Sequence, residues 1–255
     1  MDYNRTVIPS GKILMIAVVT MLCFTFSPKA AYMTLGDSVM DNGADMTTER
    51  TANPDTTTHF INKILMIGDS MTGWMAERLN AYGDINGFEV ATVVWDGSTI
   101  SKWTQQSQAL ERIIGEVHPD AIIVSLGMNE MFEQKPDIKL KEPVDNLVES
   151  FDSIPYLWIG PPEWPGHQEG VEFNEWMKKE LGDNRYFDSF SISLPRQSAS
   201  NPHPSREGIE RWIDRVVEWI PGNSTLSFQS LYKPDAGVIS RGKTFIYKRM
   251  KENLQ

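Results

Sequence analysis

Between Lys63 and Ile220 short apolar runs alternate with longer amphipathic stretches, and no other feature restricts the fold so strongly. The runs are KILMI (63–67), FEVATVVW (88–95), AIIVSLG (121–127), YLWIG (156–160) and the shorter RYFDS (185–189). Their length and apolar character suit buried strands. Between and after them lie TGWMAERLNAY (72–82), SQALERIIGEV (107–117), EPVDNLVESF (142–151), VEFNEWMKKEL (171–181) and REGIERWIDRVVEWI (206–220). In the second of these, Leu110, Ile113, Ile114 and Val117 share one helical face; in the last, Ile209, Ile213, Val216, Val217 and Ile220 do. Strand and helix in alternation predict a parallel sheet of about five strands covered by helices on both faces, a three-layer α/β/α arrangement of the flavodoxin-like kind. Sites in such sheets lie beyond the carboxyl ends of the strands. There the first three strands carry Gly68-Asp69-Ser70, Asp96-Gly97-Ser98 and Gly127-Met128-Asn129.

The chain has 255 residues, one ordinary domain (expected at 61–221) with additions at both ends. Arg5 and Lys12 precede the apolar run Ile13–Phe26, and Ala30 and Ala31 follow it. A positive start, an apolar middle and a small-residue exit describe an export signal over 1–31. With Lys29 where a small residue would favour cleavage, an uncleaved membrane anchor stays open beside it. The expected location is exported: periplasmic, cell-envelope or secreted. Residues 32–60 are polar, lack apolar periodicity and read as a linker. The extension over 222–255 is the least legible part, read either as packed on the domain or as loose. A formal net charge of −10 argues against nucleic-acid binding, which needs a clustered basic surface. Cys23, the only cysteine, lies in the signal run, so disulfide and thiolate chemistry are not expected of the mature chain. Four scattered histidines give no zinc spacing, and no glycine-rich phosphate loop follows a strand; neither metal nor cofactor is expected.

Ser70 follows an apolar strand and two tight residues and stands at the start of a predicted helix. Free N–H groups and partial positive charge at a helix N-terminus favour a developing anion. A serine so placed needs a base and oxyanion donors to attack a carbonyl. Gly-Asp-Ser alone is weak, since Gly36-Asp37-Ser38 repeats it with no strand before it; that copy reads as coincidental.

Four blocks in order are more specific: ILMIGDSMTG (64–73), WDGSTI (95–100), VSLGMNEM (124–131) and SNPHPSREG (200–208). Over residues 64–220 the chain resembles the SGNH hydrolase superfamily, the GDSL-type lipases and esterases. The resemblance implies Ser70 as nucleophile and His203 as base, with the Ser70 and Gly97 backbone N–H groups and the Asn129 side-chain amide as oxyanion donors. Among the other histidines, His59 lies in the linker, His118 at the wrong end of the sheet, and His167 in a loop after the fourth strand, the runner-up.

Two departures stand out. The family's Gly-x-Asn-Asp ends here in Glu130, a mild change, and the Asp three residues before the base is Ser200. That Asp orients the imidazole and stabilises its charged form. In its place a backbone carbonyl, the Ser200 hydroxyl or a carboxylate such as Asp188 is expected to hold His203. Trp95, Trp103 and Trp164 follow strand ends and are candidates to bind a sugar ring, with ordinary packing as the alternative. The resemblance implies cleavage of small, acetyl-type esters through an acyl-serine, and the expected export points to an acylated glycan as substrate. Acyl transfer onto an envelope glycan, and glycan binding without catalysis, remain the alternatives. A membrane partner is expected only if the N-terminal segment stays uncleaved.

Overall fold

Ile64, Leu65, Met66 and Ile67 lose all contact with solvent in the first strand, β1 (Lys63–Gly68). Four consecutive buried residues require a sheet covered on both faces, as parallel sheets are. The structure, a computed structural model, describes residues 59–168, 170–198 and 201–246. After β1 come α1 (Thr72–Asn86), β2 (Glu89–Val94), the short α2 (Ile100–Thr104), α3 (Ser107–Val117) and β3 (Ala121–Ser125). Then follow α4 (Pro136–Lys139), α5 (Lys141–Glu149), β4 (Tyr156–Ile159), α6 (Gly170–Leu181), β5 (Tyr186–Phe187), α7 (Arg206–Asn223) and β6 (Thr244–Ile246).

Every pairing is parallel and the order is β5-β4-β3-β1-β2-β6. Right-handed crossovers then place α1 on one face and α3, α5 and α6 on the other. α1 packs against α7. The expected three-layer α/β/α fold is thus observed, with one addition: a sixth strand, short and at the sheet edge, drawn from the tail. The order reverses beside β1, between β2 and β3, which makes the end of β1 the switch point where such sheets bind ligands. Gly68 closes β1 there. A Cβ on it would stand 2.2 Å from the Ser125 carbonyl oxygen and from Thr72 Oγ1, so only glycine lets β1, β3 and α1 meet.

The tail is stitched to the domain along its described length. Ser227 accepts from the Ile61 N–H at 2.9 Å, and Tyr232 exchanges two hydrogen bonds with Asn86. Arg78, wholly buried in α1, provides the strongest attachment. Its five N–H donors are all used: two on Asp214 of α7 at 2.9 and 3.2 Å, and three on the carbonyls of Pro234, Asp235 and Val238. A buried cation is tolerated only when so paired and saturated. Beyond it, the Ser240 N–H donates to the Glu77 carbonyl at 2.9 Å, and β6 pairs with β2. Among the described residues no helix is long and apolar enough to cross a membrane. The signal run and most of the linker lie outside them.

Candidate active site

Ser70 sits in the turn between β1 and α1, its side chain exposed. Asp69 shapes that turn: its N–H donates to the Ser125 carbonyl at 3.2 Å, and its Oδ1 accepts from the Met71 N–H at 3.0 Å. His203 arrives from the opposite end of the chain. Ser205 caps α7 by accepting from the Gly208 N–H, which fixes the loop before it. Arg196 grips the same loop, bridging to Pro204 and donating to the carbonyls of Pro202 and Glu163. His203 Nε2 thereby lies 3.0 Å from Ser70 Oγ.

At the other ring nitrogen the structure supplies an acceptor that was not among those expected. Asn201 Oδ1 lies 3.3 Å from His203 Nδ1 and also accepts the His203 backbone N–H at 2.9 Å. That backbone donor identifies the atom facing the ring as the amide oxygen, so Nδ1 carries the hydrogen and Nε2 presents its lone pair to Ser70. Asp188 is not the orienting group: its Oδ1 accepts from the Phe190 N–H within its own turn, and it lines a different cleft with Ser191, Arg211 and Trp219. Ser200 lies outside the described residues. Asn201 was not among the expected holders of the ring, a backbone carbonyl, the Ser200 hydroxyl or a carboxylate such as Asp188, because nothing in the sequence marks a neutral amide two residues before the histidine as its acceptor.

The three expected oxyanion donors come from the ends of β1, β2 and β3. Among the described residues, no backbone hydrogen bond uses the N–H of Ser70 or of Gly97. Gly97 has φ +65°, a conformation that favours glycine, and its carbonyl accepts from Lys102 Nζ. Asn129 Nδ2 donates to the Ser98 carbonyl at 2.8 Å, while its second contact, Asp69 Oδ2 at 3.5 Å, is at the limit of a hydrogen bond. Glu130 does more than the mild change read from the sequence. It is buried, and its Oε1 accepts from the Ile100 N–H at the start of α2, tying the Asn129 loop to the Gly97 loop. Its Oε2 has no hydrogen-bond partner.

Burial pushes the Glu130 carboxyl up to about 8, against the lowering effect of the Ile100 N–H. Burial likewise pushes Asp69 up to about 7, despite the Met71 N–H. Both folded-state values exceed those of an unfolded carboxyl, so the folded state holds more protons across that interval and stability falls as pH rises through it. The wild-type melting temperature is expected to fall between pH 5 and 8.5, by about 5 °C more than that of Glu130→Gln, which keeps the acceptor and removes the charge. Parallel melting curves for the two proteins would show that the charge is accommodated without penalty.

The tryptophans divide. Trp103 is wholly buried and donates its Nε1–H to Ser98 Oγ at 3.0 Å, so it supports the Gly97 loop from beneath and cannot meet a substrate. Trp95 is half-buried, packed edge-on against Trp103 at 5.7 Å. Trp164 is half-buried in a cluster with Phe132 and His167, with ring centroids 5.5 and 6.4 Å away. The exposed ring beside Ser70 is Trp74 of α1, 44% exposed. Its neighbours in α1, Met75 and Leu79, point inward, and Trp74 does not. Two clefts meet at Ser70 and Trp74: one of about 260 Å³, which also borders His203, Asn201 and Gln197, and one of about 500 Å³ that runs toward the tail.

A serine hydroxyl against an imidazole nitrogen, with free N–H donors at hand, can add to a carbonyl and stabilise the oxyanion. The family that the sequence matches agrees with that chemistry. The model of the GDSL-like lipase/acylhydrolase family matches residues 32–216, a span that includes both Gly-Asp-Ser copies. Among curated proteins none matches the chain. Solved structures similar to it include a catalytic mutant of an acetylxylan esterase from Geobacillus stearothermophilus, 14% identical over 60% of this chain and 93% of that one, with TM-score 0.47. A Clostridium thermocellum family 3 carbohydrate esterase is 14% identical over 61% and 93%, with TM-score 0.48. A psychrotrophic Pseudoalteromonas esterase is 17% identical over 62% and 98%, with TM-score 0.47. The assignment rests on the family model, whose match covers most of the chain: the protein belongs to the GDSL-like lipase/acylhydrolase family and is an ester-bond hydrolase.

Proposed function

We propose that the protein is an exported serine esterase that removes small acyl groups, acetyl above all, from a glycan through an acyl-serine intermediate. The approach of Ser70 Oγ to His203 Nε2, 3.0 Å, carries this reading. His203 takes the Ser70 proton as Oγ attacks the ester carbonyl. The oxyanion is held by the Ser70 and Gly97 N–H groups and the Asn129 amide. The carbonyl re-forms, the C–O bond to the alcohol breaks, and His203 Nε2 delivers its proton to the leaving oxygen. Water then attacks the acyl-serine, with His203 again accepting a proton, and the acid departs as Ser70 regains its own. Asn201 holds the ring in the tautomer this requires.

Export is supported by the N-terminal pattern of charge and apolar run. The glycan reading is supported by the exposed Trp74 ring and by the open clefts at Ser70, lined by polar and apolar side chains alike, since long acyl chains call for an enclosed apolar channel. Glycan binding without catalysis drew its support from a base lacking an acceptor at its far nitrogen, and Asn201 supplies one. The test has two parts. An aryl phosphonate is expected to label the protein once, on the peptide containing Ser70, and acetylated xylan fragments are expected to release acetate. Absence of label would sink the serine mechanism; label without acetate release would sink the glycan substrate alone.

A further inference from the structure

We infer that the tail builds a second sugar subsite, so that the substrate is an O-acetylated saccharide of at least two units, bound across Trp74. This rests on the glycan reading above. The departing alcohol must lie within reach of His203 Nε2, because that nitrogen returns the proton. The acetylated sugar therefore occupies the smaller cleft, where His203, Asn201, Gln197 and Trp74 meet. Trp74 also borders the larger cleft, so its exposed ring spans the two. That second cleft, at about 500 Å³, is of ordinary ligand-pocket size. It presents Glu77 and Asp96 from the domain and Ser240 and Arg241 from the tail, around the Trp74 ring. Hydroxyl-accepting carboxylates, a hydroxyl and a guanidinium around one aromatic face match a sugar ring, apolar on its faces and polar at its rim.

The tail segment is held rigidly enough to serve. Arg78 clamps residues 234–238 from below, and Ser240 is hydrogen-bonded to the α1 backbone. At Gly242 a Cβ would stand 2.1 Å from Asn80 Oδ1 and 2.5 Å from the Val90 carbonyl oxygen, so the backbone lies directly on α1 and β2. Arg241 is nearly free: its guanidinium is 3.5 Å from Glu77, 86% exposed, a weak pair that a ligand can displace.

The experiment compares kcat/KM on an acetylated xylose and an acetylated xylobiose, with p-nitrophenyl acetate alongside, for the wild type, Trp74→Ala and Arg241→Ala. The wild type is expected to favour the disaccharide by about tenfold, and each variant to lose most of that preference. Wild-type preference that survives in both variants would place the second sugar elsewhere, and its loss in Phe132→Ala instead would place it on the Phe132–Trp164 side. Equal wild-type rates on both saccharides would overturn the subsite and leave the glycan reading standing. Turnover of p-nitrophenyl acetate with none of either saccharide would overturn the glycan reading itself.

Discussion

Ser70→Ala and His203→Ala are expected each to lower kcat on p-nitrophenyl acetate by about 10²- to 10⁴-fold. The range lies below what a serine enzyme with a full carboxylate triad loses, for a physical reason. In such an enzyme the third member contributes several orders of magnitude on its own. Here a neutral amide oxygen stands at His203 Nδ1, so the wild type starts from a lower rate. What remains after either substitution is the work of the oxyanion donors, which neither change removes. Because Ser70 and His203 act as one unit at 3.0 Å, the double variant is expected to fall no further than either single one. Single-turnover measurement of p-nitrophenolate release checks both statements. Variants within tenfold of the wild type would mean that the hydrolysis takes place at another group.

Asn201→Asp is expected to act in the opposite direction. The substitution keeps an oxygen facing Nδ1–H and the His203 backbone N–H, and adds a full negative charge beside the ring. That charge stabilises the imidazolium formed in both transition states, so kcat rises by about 10- to 100-fold. The same attraction favours the protonated ring in the free enzyme. The pH at which activity reaches half its plateau therefore moves upward. The two effects part on a pH–rate profile: Asn201→Asp gains most at pH 8 and least at pH 5.5. A gain spread evenly over pH would point to better folding, and no gain at all would show that Asn201 does not orient the ring.

The sheet and its helices were legible in the sequence because burial on two faces demands continuous apolar runs, and β1 to β4 have them. β6 was not, since Thr244–Ile246 is three residues long and owes its place to β2 and to the anchored tail before it. The residues over the ends of β1, β2 and β3, Ser70, Gly97 and Asn129, followed from topology and resemblance together. Asn201 and Glu130 did not. Their importance depends on which atom of a neighbouring loop they reach, the His203 ring in one case and the Ile100 N–H in the other, and such contacts leave no periodic trace. Trp103 takes the packing alternative and Trp74 the exposed one for a related reason: only the packing of neighbours decides which way an aromatic at a loop or helix start faces.

The saturation of Arg78 bears on how the protein is made and how it can be trimmed. Of its partners, Asp214 and the carbonyls of Pro234, Asp235 and Val238 are synthesised more than a hundred residues after it. While the ribosome is still adding them, α1 holds a guanidinium that has no counterion to be buried with, and β2 has an open edge. The nascent domain therefore closes fully only once residue 238 has been added. The same holds for a truncated gene: a fragment cut where the family match ends, at residue 216, retains Asp214 but forfeits three of the five acceptors, and its α1 must either leave a cation underserved in the interior or let water in beside it.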